Sequence, residues 1–161
     1  MSASLNEMKL DWQLRRFADL HLAQLYQLLQ MRIAIFAVEQ QCIYQDLDDL
    51  DSKSLHLLAY ETHTDRLIAY ARCLPGGLKY QEPSIGRVAV ASDFRGKGLG
   101  HALIRRAIES VERLESARPI RISAQAHLSA FYEQHGFVAE GDIYLEDGIK
   151  HLEMLRQGIA P

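Results

Sequence analysis

Apolar and polar positions vary along the first half of the chain in a way that predicts strands and a helix. Residues 10–14 alternate apolar and polar, which is the period of a half-buried strand. Over residues 21–38 the apolar spacing changes to three and four on several sides, so we expect a helix buried over most of its circumference. Two short apolar runs, 55–60 and 67–74, flank a polar turn and predict an antiparallel hairpin.

The second half alternates strands and helices before it ends on two strands. A strand over 86–91 precedes a glycine-rich loop and a helix that opens at His101. Four apolar residues of this helix are predicted to face inward: Leu103, Ala107, Val111 and Leu114. The remaining elements are a strand over 120–124, a short helix over 127–135, and strands over 137–145 and 149–155. This order predicts an α/β (α+β) fold with a central mixed sheet flanked by helices.

Length and charge narrow the classes of function. At 161 residues the chain suits one domain, which we assign to 9–156, with tails over 1–8 and 157–161. A net charge of -3 argues against general binding to nucleic acid or to acidic membranes, and no apolar run is long enough for a membrane span. Cys42 and Cys73 lie far apart without metal-ligand spacing, which favours a reducing, cytoplasmic setting.

The segment 95–100 carries the most specific signal. Gly96, Gly98 and Gly100 alternate with Arg95, Lys97 and a leucine between a predicted strand and a predicted helix. Glycine backbones allow close approach of a ligand, and the free N–H groups at a helix start favour negative charge. We therefore expect a site for a phosphorylated cofactor.

Other readings of this segment fit less well. A nucleotide P-loop requires glycine and Ser or Thr where this chain has Ala91 and Gly98. A dinucleotide fingerprint counted from Gly96 requires glycine where the chain has His101. A solvated glycine connection explains one glycine, but not the alternation with flanking cations.

Two segments together resemble the GNAT N-acetyltransferases. Residues 88–90 followed by Arg95, Gly98 and Gly100 are similar to that family's acetyl-CoA signature, Gln/Arg-x-x-Gly-x-Gly/Ala. Residues 130–137 are similar to its Leu-Tyr-Glu-x-x-Gly-Phe segment.

The ElaA-like branch of this family is a closer match. It shares Met31-Arg32 with Phe36, Val38-Glu39-Gln40, the acidic run ending at Asp51, and Tyr144-Leu-Glu-Asp-Gly148 with His151.

The resemblance implies acetyl-CoA as cofactor and a splayed strand around 88–90 whose backbone pairs with the pantetheine arm, a role that strand addition also suits. The pyrophosphate would lie on the N–H groups from Gly96 to His101. Gln125 occupies a position where many relatives carry Asn. The implied cofactor-binding residues are Val88, Ala89, Val90, Arg95, Gly96, Lys97, Gly98, Leu99, Gly100, His101, Gln125 and Tyr132.

Tyr132 resembles the residue that protonates the leaving thiolate, and its phenol has an ordinary pKa of about 10. A backbone N–H near Val90 would polarise the carbonyl. Many relatives carry a Glu on the strand that corresponds to 86–91, but this strand has none. Glu39 and His151 are therefore the candidate general bases, and a water relay could replace either.

The acidic run between the first helix and the hairpin has two readings. Its four aspartates could receive a cationic amine, or they could form a solvated loop. A calcium loop fits poorly because the fifth-position ligand and sixth-position glycine are missing. No metal is predicted. The four residues are Asp46, Asp48, Asp49 and Asp51.

The resemblance thus implies acetyl transfer to a primary amine of a small molecule or peptide, by direct transfer in a ternary complex. Two alternatives stay open: a non-catalytic acyl-CoA-binding sensor or interaction module, and an acyltransferase that uses a longer acyl donor. The sequence leaves the acceptor and the oligomeric state open, a homodimer included.

Overall fold

Seven strands form one sheet in this computed structural model, which describes residues 9–158. The predicted tail 1–8 and the last three residues of the predicted tail 157–161 lie outside the described residues. The strands are β1 Leu10–Arg16, β2 Leu55–Glu61, β3 Arg66–Leu74, β4 Ser84–Val90, β5 Ile120–Gln125, β6 Phe137–Glu146 and β7 Ile149–Arg156. Their order is β1-β2-β3-β4-β5-β7-β6, with only β4 and β5 parallel among these neighbours. The predicted mixed sheet is confirmed.

Three α-helices flank the sheet: α1 Leu22–Arg32, α2 Leu99–Leu114 and α3 Ser129–Glu133. On α2, the first three of the four predicted inward residues are buried. Leu114 is 47% exposed, contrary to prediction, because it is the last helical residue and the chain turns away at Glu115. Within residues 9–158, none of the helices combines the length and apolarity that crossing a membrane requires.

The first helix is much less buried than predicted. Among the residues of α1 only Leu28 and Arg32 are buried, whereas Leu22 and Tyr26 are largely exposed. A helix that covers one face of a sheet buries one stripe, here the side that carries Leu28, so apolar residues on the other sides face outward. The chain continues as a π-helix over Ile33–Glu39, in which the Cys42 N–H reaches back to the Ala37 carbonyl at 3.0 Å.

β4 separates from β5 after a single registered pair, Ser84 with Arg121. On its other side, the register to β3 shifts so that Arg87 and Val88 both lie opposite Ala71. This is a β-bulge, and Arg87 has a φ of 51° there. The bulge bends the strand, and the C-terminal ends of β4 and β5 flank an opening. The predicted splay around 88–90 is confirmed.

The acidic run pairs with buried arginines. Arg32 donates from Nε to Asp46 at 2.8 Å and from Nη1 to Asp51 at 2.7 Å. Arg72 of β3 binds Asp48 at 2.6 Å and Asp51 at 3.0 Å. Both arginines are almost fully buried, so the carboxylates neutralise charge inside the protein. Both predicted interpretations, a receptor for a cationic amine and a solvated loop, are therefore wrong for Asp46, Asp48 and Asp51, whereas Asp49 is exposed.

The same network holds the bulge. Arg87 donates from Nε to Asp46 Oδ1 at 2.8 Å and from Nη2 to the Asp46 carbonyl at 2.9 Å. Burial opposes ionisation of Asp48, but the hydrogen bonds from Arg72 outweigh it and lower the pKa of Asp48 to about 2. Asp48 is therefore charged at neutral pH. The loop after the π-helix is thus tied to α1, β3 and β4.

We expect Asp51→Asn to lower the free energy of unfolding by about 3 kcal/mol, because it leaves the Arg32 charge buried with one carboxylate fewer. Asp49→Asn is the matched control. Asp49 is exposed, its φ is 62°, and asparagine tolerates that conformation, so its effect should stay within about 0.5 kcal/mol. Urea unfolding at neutral pH measures both, and equal effects would contradict a stabilising role for the network.

Candidate active site

The glycine-rich loop forms an open turn directly before α2. Gly96 and Gly98 have φ values of 73° and 84°, and Gly98 is the N-cap of the helix. The first α-helical bond runs from the Ala102 N–H to the Gly98 carbonyl at 3.2 Å. The N–H groups of Leu99, Gly100 and His101 precede it and have no partner within the helix. This concentration of donors at a helix N-terminus fits a pyrophosphate.

The two cations of the loop bind protein groups. The two Nη atoms of Arg95 donate hydrogen bonds to the two carboxylate oxygens of Glu39, at 2.5 and 3.1 Å. Its Nε donates to the Val90 carbonyl at 3.0 Å. The Lys97 ammonium donates to the Asp93 carbonyl at 2.9 Å. A bound anion would therefore compete with Glu39 for Arg95.

Backbone groups at the end of β4 point into the opening. The Ala91 N–H donates to the Ile68 carbonyl at 2.9 Å. Hydrogen-bonded and non-hydrogen-bonded pairs alternate along antiparallel strands, so Ala69 and Val90, which face each other next along the strands, form a non-hydrogen-bonded pair. The N–H and carbonyl of Val90 therefore point away from β3, and that carbonyl meets Arg95 instead. Val88 and Val90 pack partly against the core, while the Ala89 side chain is buried. An extended ligand could pair with this edge.

Tyr132 lies on α3 among aromatic side chains. Its ring meets Phe131 and Phe137 edge-on, with centroids 5.1 and 5.9 Å apart. Burial raises the pKa of Tyr132 to about 12, and no neighbouring charge offsets this effect. The phenol is therefore a dependable hydrogen-bond donor at neutral pH. It is a weaker acid than the sequence suggested, because burial disfavours the phenolate.

The two candidate bases differ in their surroundings. The hydrogen bonds from Arg95 lower the pKa of Glu39, which makes that carboxylate a weaker base. Nearby, Gln125 donates to the side chain of Gln40 at 3.1 Å. His151 lies opposite Gln125 in the β5–β7 pairing, so both project on the same face of the sheet.

His151 belongs to a group of four side chains, which we call the β5–β7 polar cluster: Ser123, Tyr144, Glu146 and His151. The His151 ring stacks on Tyr144, with centroids 6.1 Å apart. The Ser123 hydroxyl bonds to Glu146 at 3.0 Å and lies in hydrogen-bond contact with the Tyr144 hydroxyl. The cluster therefore joins three strands beside the opening between β4 and β5.

Three residues of this cluster were not among the predicted site residues. Tyr144 and Glu146 carried a signal, since they alternate toward one face of the strand and stand in the segment shared with the ElaA-like branch. Ser123 carried no signal beyond its alternation with Gln125. Within residues 9–158, no three His, Cys, Asp or Glu side chains are arranged so that they could hold a metal ion.

Comparisons with known proteins agree with this fold. A family model described as an acetyltransferase (GNAT) domain matches residues 26–157. Protein ElaA of Escherichia coli is 40% identical over 152 residues, which cover 93% of this chain and 98% of ElaA. These matches extend across both halves of the sheet.

Solved structures match equally broadly. An acyl-CoA N-acyltransferase from Pseudomonas aeruginosa is 46% identical and superposes with a TM-score of 0.87, covering 92% of this chain and 99% of that chain. The crystal structure of Escherichia coli ElaA gives a TM-score of 0.86 and covers 92% of this chain and all of that chain.

Proposed function

The chain belongs to the GNAT acetyltransferase family, and from this premise we propose that it transfers an acetyl group from acetyl-CoA to a primary amine. Fold and family make it an acyltransferase. The acetyl donor and direct transfer to a small molecule or peptide in a ternary complex are the proposal. The observation that carries it is the splay of β4 from β5 beside the open N-terminus of α2.

The donor site follows from the backbone. The outward carbonyl of Val90 suits an amide N–H of a pantetheine arm, with Val88 and Ala89 on the same strand. The N–H groups from Gly96 to His101 suit the pyrophosphate. Arg95 would also bind the pyrophosphate, giving up its contact with Glu39 for one with a phosphate oxygen. Lys97 and Gln125 lie on either side of the same opening.

The bound donor supplies an activated acyl carbonyl as a thioester. The Val90 N–H is our candidate for polarising that carbonyl, since the Ala91 N–H is already bound to Ile68. The Tyr132 hydroxyl donates a hydrogen bond to the leaving sulfur and stabilises its developing charge. A phenol with a pKa of about 12 serves better as a donor than as an acid that gives up its proton fully.

We favour His151 over Glu39 as the general base. Glu39 is bound to Arg95, and its pKa is lowered by that contact. His151 has no cation in salt-bridge contact within the described chain, and its ring is only 13% exposed. A water between His151 and the amine is compatible with this role. A cytoplasmic location is part of the proposal, because Cys42 and Cys73 are free thiols.

Thiol release with acetyl-CoA and a panel of primary amines tests the activity. We expect release that depends on the amine, with longer acyl-CoA donors reacting more slowly. Tight acetyl-CoA binding without amine-dependent release would instead indicate a sensor. Faster release from a longer donor would change the assigned acyl group.

Tyr132→Phe should lower kcat by about tenfold or more while leaving acetyl-CoA affinity nearly unchanged, because only the hydroxyl near the sulfur is lost. Tyr26→Phe is the matched control, since Tyr26 is exposed on α1 and should keep full activity. Steady-state kinetics and donor titration measure both parameters. Unchanged kcat in Tyr132→Phe would remove this residue from the mechanism.

Arg95→Ala should weaken acetyl-CoA binding, whereas Glu39→Gln should strengthen it by about two- to fivefold, because an exposed ion pair that competes with phosphate is worth up to about 1 kcal/mol. Glu109→Gln, on the exposed side of α2, removes the same charge elsewhere and should change nothing. Calorimetric titration measures the affinities. Weaker binding in Glu39→Gln would sink the exchange model.

A further inference from the structure

The β5–β7 polar cluster contains two hydrogen-bond acceptors that face each other across a gap. The Nδ1 atom of His151 lies 2.8 Å from the Ile149 carbonyl, which can only accept. Nδ1 must therefore carry the hydrogen, and Nε2 of the neutral ring presents its lone pair. This Nε2 lies 3.7 Å from the Glu146 Oε2 atom, which is too far for a direct hydrogen bond.

A group with several N–H donors would satisfy both acceptors. We propose that Glu146 and His151 form the receptor for the acceptor's primary ammonium, with Glu146 holding the charge and His151 Nε2 receiving the proton. This assignment rests on the proposed function. An ammonium bridges two acceptors at this separation with hydrogen bonds of ordinary length, about 2.8 to 3.0 Å.

The rest of the cluster orders the carboxylate. Because the single Ser123 hydrogen is directed to Glu146, the Tyr144 hydroxyl donates to Ser123 Oγ. Tyr144 also stacks on the His151 ring, so one side chain supports both members of the receptor. Ser123 and Tyr144 are accordingly positioning residues for Glu146.

Charge balance on this face of the sheet singles out Glu146. Arg121 engages the three carboxylates of Glu82, Glu140 and Glu153 at 2.8 to 3.0 Å. In the described chain, Glu146 makes no contact of this kind with an arginine or lysine. Its side chain is 42% exposed, so an incoming cation can reach it.

The proton step is simple. One N–H bond of the ammonium breaks, its electron pair stays on the amine nitrogen, and the proton moves to His151 Nε2. The imidazolium that forms then lies beside the Glu146 carboxylate. That carboxylate becomes the counterion of His151 once the amine is neutral. A quaternary ammonium, which has no N–H group, cannot bridge the gap or lose a proton.

Histidine ring NMR with two small cations tests the receptor. We expect n-butylamine to shift the His151 ring signals saturably, and butyltrimethylammonium, with no N–H, to leave them unchanged. Glu146→Gln should weaken n-butylamine binding about fivefold or more, and Ser123→Ala should weaken it less. Glu109→Gln is the matched control and should bind as the unaltered protein does.

The outcomes separate this inference from the proposed function. Equal n-butylamine affinity in Glu146→Gln and Glu109→Gln, or no saturable shift in the unaltered protein, overturns the receptor. Transfer with an unchanged amine KM in Glu146→Gln overturns the receptor alone and leaves the acetyltransferase activity standing. Binding that depends on Glu146, without amine-dependent thiol release, supports the receptor and overturns the activity.

Discussion

The pairing of one acidic loop with two buried arginines and a third, partly buried one is the constraint on which the site depends. Arg32, Arg72 and Arg87 come from a helix and two strands, and each would be costly to bury without a carboxylate. The contact between Arg87 and Asp46 fixes the loop against the β4 bulge. That bulge directly precedes the part of β4 that presents free backbone groups, so the network helps to shape the opening. The carboxylates of this loop, which in the sequence look available to bind a ligand, instead pair with arginines that hold the fold together.

A second pairing links the two sides of the opening. Arg95 follows β4 and Glu39 ends the π-helix, so their contact joins the donor loop to the segment beside the acceptor side. The same arginine also binds the Val90 carbonyl, whose strand edge suits the pantetheine arm. A ligand that takes Arg95 therefore changes the surroundings of Glu39. In the proposed mechanism, this exposed ion pair links the donor loop to the acceptor side, and it is weak enough to exchange.

The strands and α2 were predictable because their signals are local. Alternation identified β1, and two apolar runs around a polar turn identified β2 and β3. The glycines before α2 identified the loop whose φ values only glycine adopts readily. The burial of α1 was misjudged, since a flank of apolar residues does not show which side a sheet will cover. The acidic run was misread for a similar reason. Its partners, Arg72 and Arg87, are more than twenty residues away in sequence.

The order of elements, the glycine-rich loop before α2 and the family were predictable from the sequence, because each depends on residues close together in the chain. Which charged side chains have an ion-pair partner depends on the tertiary structure. Side chains from separate strands meet by register, so Ser123 and His151 come beside Glu146 through pairings that no local pattern encodes. The loop that we propose for the donor was thus predictable from local sequence. The acceptor side required the fold, because ion pairs and hydrogen bonds over long sequence separations determine which acids and bases are left to act.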